Sequence, residues 1–189
     1  MPIVAWICVG VVCVIIIWVI ATYNSLVKLR AFLEEAFSGM DIFMKKRCDL
    51  IPNLVETAKG YMAHESQTLE AVIAARNRAI GNTSSGSVED RIQIEKEFGE
   101  AISRLMVVVE RYPELKADRQ FLNLSQQLTS LENDISQARK YYNGAVRQFN
   151  TKIALFPVSI IASIGHFIKQ PYFELDDASE RVAPKVSFS

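Results

Sequence analysis

The chain opens on apolar residues that no polar position interrupts. Residues 3–21 are apolar throughout, and no Asp, Glu, Lys, Arg or His occurs before Lys28. As a helix this stretch spans about 28 Å, close to the roughly 30 Å hydrocarbon thickness of a bilayer. Trp6 and Trp18 stand near its two ends with Tyr23 just beyond, where interfacial aromatics gather. A cleaved signal peptide ending at Val19-Ile20-Ala21 is the alternative, but it requires a basic leading region that the sequence lacks. The reading is a retained transmembrane anchor over residues 1–22.

Beyond the anchor, apolar residues recur at alternating spacings of three and four, the seam of packed helices. One run holds Leu26, Leu33, Phe37, Met40 and Met44, with Arg47 on the same seam. A second holds Ile51, Leu54, Ala58, Tyr61 and Val72, with Glu65 among them. A third holds Val88, Ile92, Phe98, Ile102, Leu105, Val109 and Tyr112, interrupted by Glu95. The cleanest runs from Phe121 through Leu128, Ile135, Tyr142, Phe149 and Ile153 to Phe156.

The breaks have chemical causes. Gly81-Asn82-Thr83-Ser84-Ser85-Gly86-Ser87 is rich in turn residues, and Ser87 suits the N-cap of the helix after it. Tyr112-Pro113 ends one helix and begins another. Pro52 either kinks a long helix or marks a reversal. Splitting there gives helices of roughly 25, 29 and 25 residues before the fourth, the matched lengths of an up-and-down bundle. A reversal near residues 48–51 is therefore expected.

The predicted fold is all-α: an N-terminal transmembrane helix continuing into an up-and-down four-helix bundle over residues 23–156. The expected helices are 23–48, 52–80, 88–112 and 114–156. The fourth overruns the others by about 22 Å, which would carry Phe156 back to the bilayer surface. Residues 157–170 then form a short apolar helix, too short to span, that is either membrane-proximal or a cap on the bundle. An extended polar tail, 171–189, follows, with Val182, Val186 and Phe188 spaced for docking. Tyr23, Asn24, Phe156 and Phe167 are expected near one membrane face, and Trp6, Trp18, Lys28, Arg30, Tyr172 and Phe173 are also expected to be membrane-proximal.

Charge orients the chain and excludes one class of partner. Lys28 and Arg30, then Lys45, Lys46 and Arg47, lie on one side of the anchor and no basic residue on the other. The positive-inside tendency places the N-terminus outside and the bundle in the cytoplasm, at the inner membrane. Twenty-one basic residues balance 21 acidic ones, so no electrostatic footprint for nucleic acid exists. Of the three cysteines, Cys8 and Cys13 lie in the anchor, and Cys48 is read as an apolar packing residue.

Catalytic and metal motifs fail on spacing. His64-Glu65 starts like a zinc-protease helix, yet the residue four beyond His64 is Thr68. Neither His64 nor His166 has a Glu three residues before it, as a carboxylate-bridged di-metal bundle needs. No cofactor, metal or catalytic residue is assigned. Polar residues on or near the seams say more, because buried charges must be paired. Arg47, Asp49, Pro52, Asn53, Glu65, Arg139, Asn143 and Asn150 are expected to form an internal polar network. In it Arg47 or Arg139 pairs with Glu65, and the asparagines bond carbonyls near a turn at Pro52.

Several separated stretches, in order, resemble the LemA family. They are Tyr23-Asn24-Ser25-Leu26-Val27, then Arg47-Cys48-Asp49-Leu50-Ile51-Pro52-Asn53-Leu54-Val55, then His64-Glu65. The last helix adds Ala138-Arg139, Tyr141-Tyr142-Asn143, Val146, Asn150 and Ile153, followed by Phe156-Pro157, Phe173 and Pro184-Lys185-Val186-Ser187-Phe188. The resemblance implies a bacterial membrane-anchored helical bundle, related to some magnetosome membrane proteins and without established enzymatic activity. It also implies genes neighbouring membrane proteases or other envelope proteins. The function expected is a non-enzymatic scaffold that contacts membrane lipid and associates with copies of itself. The rival is an adaptor or regulator of a membrane protease or another membrane-protein partner.

Overall fold

A computed structural model of the chain describes residues 2–81 and 87–173. The turn-rich stretch 82–86 and the tail 174–189, including the Pro184–Phe188 stretch of the family resemblance, lie outside the described residues. All regular structure among the described residues is helical: α1 (Pro2–Lys59), α2 (Ser66–Gly81), α3 (Val88–Val109), α4 (Pro113–Ala117), α5 (Arg119–Ala154) and α6 (Val158–Ile164). The all-α expectation holds.

α1 is long and apolar enough to cross a membrane. Its first five turns expose large apolar side chains on every side, from Ile3 to Ile20. Beyond Thr22 the same helix becomes one-sided, and Leu26, Leu33, Ala36, Met40, Met44 and Cys48 are buried.

The helix corrects the expected reversal at Pro52. α1 passes through Pro52 and ends at Lys59, so the predicted helices 23–48 and 52–80 do not exist as such. Proline costs a helix one hydrogen bond and crowds the preceding turn, but here its ring is exposed on the outer face. Ile51, Leu54 and Val55 around it are fully buried and hold the backbone on course. The true break is Gly60 to Glu65, where Tyr61 N–H and Met62 N–H both bond the Ala58 carbonyl. Glycine weakens the helix there, whereas the cost of Pro52 is outweighed by the packing of its neighbours.

The predicted 114–156 helix also divides. α4 ends at Ala117, and Asp118 turns the chain and caps α5, its Oδ1 accepting from Phe121 N–H at 2.9 Å. Ser87 caps α3 in a reciprocal pair with Asp90.

Two compact units emerge. In the first, residues 2–50 pack with residues 123–172. The α1 stripe meets Leu124, Leu128, Ile135, Tyr142, Ala145 and Phe149 of α5, and Ile161 and Ala162 of α6 complete the buried set. Phe32 packs edge-on against Tyr141, and Phe37 against Tyr142, with ring centroids 5.5 Å apart in each case. The second unit takes in the described residues between 51 and 122 and Phe173. There α2 and α3 pair through Leu69, Val72 and Ala75 on one side and Phe98, Ile102 and Leu105 on the other.

Pro52→Ala tests the corrected path. Restoring the missing N–H in a helix interior should raise stability by about 1–2 kcal/mol, after the lost restriction of the unfolded chain is set against it. Chemical denaturation of the detergent-solubilised chain measures it. A chain that reversed at Pro52 would lose stability instead.

Candidate functional site: polar pairs and the clamp at the end of α5

Arg47 points inward from α1 and is 2% exposed. Its Nη1 donates to Oε1 of Glu132 on α5 at 2.8 Å. Glu132 keeps 40% of its side chain in solvent, so the pair is lopsided: one partner can be hydrated and the other cannot. The expectation paired Arg47 or Arg139 with Glu65; the structure gives Arg47 a bond to Glu132.

Glu65 works elsewhere. It ends the turn that leads into α2, where its carbonyl accepts from Leu69 N–H. Its carboxylate accepts from Arg111 Nη2 at 2.9 Å and from the Tyr112 hydroxyl at 3.2 Å. One side chain thus fastens the α1–α2 turn to the end of α3. Partial burial, then the bond to Glu65, raises the Tyr112 hydroxyl above the ordinary phenol pKa. A parallel contact joins the Tyr61 hydroxyl to Asp118 Oδ2 at 3.1 Å. The Phe121 N–H holds the Asp118 carboxyl below its ordinary pKa, with the Tyr61 bond acting in the same sense. That bond to Asp118 is also the main cause of the raised Tyr61 pKa.

Asn150 corrects the second half of the expected network. It does not reach carbonyls near Pro52. Its Nδ2 donates to the Gln170 carbonyl at 2.8 Å, and its Oδ1 accepts from Gln170 N–H at 2.9 Å. The amide takes both backbone groups of one residue, as a neighbouring strand would. About 12 Å back along α5, the Tyr142 hydroxyl donates to the Pro171 carbonyl at 3.1 Å. Together they clamp the segment after α6 along α5.

That segment depends on a sharp helix end. Phe167 N–H bonds the Ala162 carbonyl and His166 N–H the Ser163 carbonyl, with His166 at φ 53. This is the hydrogen-bond pattern of a Schellman cap, with histidine where glycine is usual. Gly165, just before it, is needed for space: a Cβ there would lie 2.7 Å from Cε2 of Phe167. The Phe167 ring sits edge-on to Tyr23 of α1 at 5.6 Å and to Phe149 of α5 at 6.3 Å.

The remaining expected residues scatter. Asp49, Pro52 and Asn53 are exposed along α1, whereas Arg139 and Asn143 are half-buried on α5. Trp6 and Trp18 are exposed on the apolar part of α1. Lys28 is exposed, and Arg30 pairs with Glu34 one turn on. Phe156 is 82% exposed, Tyr172 is exposed and Phe173 is buried. Glu132, Arg111, Tyr112, Asp118 and Gln170 escaped the sequence reading. Asp118 alone carried a signal, an acidic residue three places before a clean helical seam.

Residues 36–188 match the LemA family. The chain belongs to the LemA family. It is 26% identical to the protein LemA of Metamycoplasma hominis, over 74% of this chain and 63% of that protein. It is 24% identical to Magnetosome protein MamQ 2 of Paramagnetospirillum magneticum and 23% identical to Magnetosome protein MamQ of Magnetospirillum gryphiswaldense. In both cases the match takes 84% of this chain. The chain spans 66% of the length of these magnetosome relatives, just under two thirds. LemA and MamQ are not known enzyme families. Tyr142 and Asn150, on which the family resemblance partly rests, are the two clamp residues.

Two outcomes follow from this geometry. Glu132→Ala removes a charge-assisted hydrogen bond from the buried Arg47 and should cost about 2 kcal/mol. Arg47→Met leaves only a hydratable carboxylate and should cost less in the same denaturation assay. For Asp118 the folded pKa lies below the unfolded one, so its contribution is complete above the ordinary carboxylate range. It is lost as pH falls through the lowered pKa. Thermal melts of the parent and Asp118→Ala should therefore converge as the pH is taken down through that range.

Proposed function

We propose that this chain is a non-enzymatic, membrane-anchored helical scaffold that associates with copies of itself at the bacterial inner membrane. The observation that carries the proposal is the continuity of α1. One helix runs from an apolar stretch left exposed among the described residues into a packed, one-sided face without a hinge. Such a helix transmits position: whatever α5 and α6 hold is set at a fixed height from the span. The LemA and MamQ relatives support membrane association. The surface ion pairs support an outward role, because Arg30–Glu34, Lys59–Glu56 and Arg104–Glu100 are exposed pairs within single helices. Pairs of that kind add little to stability, and their charged faces remain available to other chains. The basic residues following the span favour an external N-terminus and a cytoplasmic helical region.

Mass photometry of the full chain in native-lipid nanodiscs should give multiples of the 21.3 kDa protomer. Monomers at every concentration would remove self-association from the proposal, and a dominant protease in affinity captures would favour the adaptor role. For orientation, a Val107→Cys thiol, with Cys8 and Cys13 replaced by Ala, should react with impermeant maleimide in inverted vesicles. Labelling in intact spheroplasts would reverse the topology.

A further inference from the structure

The end of α5 and the whole of α6 carry an apolar patch that the first unit does not cover. α6 buries Ile161 and Ala162 and turns Ile160 and Ile164, four residues apart and so on one face, to the outside. Leu155 and Phe156 extend the patch before the helix, and Ile168 extends it after. Ile164 is 75% exposed and Ile168 71% exposed. Large apolar side chains exposed together over residues 155–168 mark an interaction surface.

Its position and charge identify the occupant. Phe167, next to Ile168, packs on the ring of Tyr23, and Tyr23 stands two residues past the apolar stretch of α1. The patch is therefore tied to the level at which α1 leaves its apolar stretch. Residues 147–173 contain no Asp or Glu, while Arg147, Lys152 and Lys169 bring positive charge. Lys28, exposed on α1, adds a further cation near the same level. Apolar side chains rimmed by cations, with no anion among them, match the boundary between acyl chains and anionic headgroups. At seven residues, α6 rises only about 10 Å and cannot cross a bilayer.

We infer that α6 and its flanks form a second membrane contact, lying in the headgroup–acyl boundary of the leaflet from which α1 emerges. The inference rests on the reading of α1 as a membrane span. The span alone leaves the helical region free to swing about its axis. A second contact, joined to the first through Tyr23 and Phe167 and clamped to α5 by Asn150 and Tyr142, fixes that rotation.

The test uses the full chain in vesicles of phosphatidylglycerol and phosphatidylcholine, the latter brominated on its shallow acyl carbons. The native chain reports the span through Trp6 and Trp18. In a background with both replaced by Phe, Ile164→Trp or Ile168→Trp reports the patch, and Val107→Trp, on exposed α3, is the control. The brominated lipid should quench and blue-shift the Ile164 and Ile168 probes at least as strongly as Trp18 is quenched, and leave the Val107 probe unchanged. A quenched native chain with unquenched patch probes overturns the inference and leaves the span intact. A blue-shifted but unquenched patch probe also overturns it, and assigns the patch to a protein partner or a second copy. An unquenched native chain fails the span reading itself.

Discussion

A helix with apolar side chains on every side for its first five turns, and on one side thereafter, must be satisfied by two different surroundings. Among the described residues nothing covers the first part of α1, and every turn of it displays Val, Ile or Trp. The second part needs α5, whose own seam supplies Leu124, Leu128, Ile135, Tyr142 and Phe149. Since no break separates the two parts, the rotation and height of the packed face follow from the apolar one. Everything else in the first unit is arranged along that single rod. The edge-on aromatic pairs Phe32–Tyr141 and Phe37–Tyr142 set register in its middle, and Tyr23–Phe167 does so at its upper end.

The polar contacts act as register markers more than as sources of stability. Arg47–Glu132 removes one charge from water and leaves the other half-hydrated, an arrangement whose desolvation cost offsets much of its attraction. What it adds is a penalty for sliding α5 by one turn, which would break this charge-assisted bond. Glu65 has the same logic at a different place. It receives a guanidinium and a phenol from the end of α3, so the turn after α1 closes on one geometry.

The heptad-like seams were legible in the sequence because burial on one face leaves a period that composition cannot mimic. The apolar opening was legible for the same reason, as an absence of any polar interruption. Pro52 was not legible, because the cost of a proline in a helix can be outweighed by packing on either side of it, here that of Ile51, Leu54 and Val55. Matched helix lengths misled for a related reason. The long helices α1 and α5 and the shorter α2 and α3 make two pairings of unequal length, and a bundle of equal members is only one way to bury four seams. Pair identities such as Arg47 with Glu132 escape a linear reading, because helical periodicity says which face a residue occupies and not which neighbour it meets.

The segment after α6 shows how a family motif acquires physical content. Asn150 alone among side chains of its size can offer a donor and an acceptor in the spacing of a peptide unit, and it binds both backbone groups of Gln170. Its replacement by Asp would keep the acceptor for Gln170 N–H and set a carboxylate against the Gln170 carbonyl, so shape alone does not specify it. The same holds for Gly165, whose missing Cβ makes room for the ring of Phe167. His166 adopts a left-handed conformation that an L side chain enters at a cost, and the two cap bonds to Ala162 and Ser163 offset it. Three local requirements thus converge on the placement of one aromatic ring between Tyr23 and Phe149. That ring joins the helix leaving the apolar stretch to the helix returning toward it, which is why the end of α5 cannot be read apart from the start of α1.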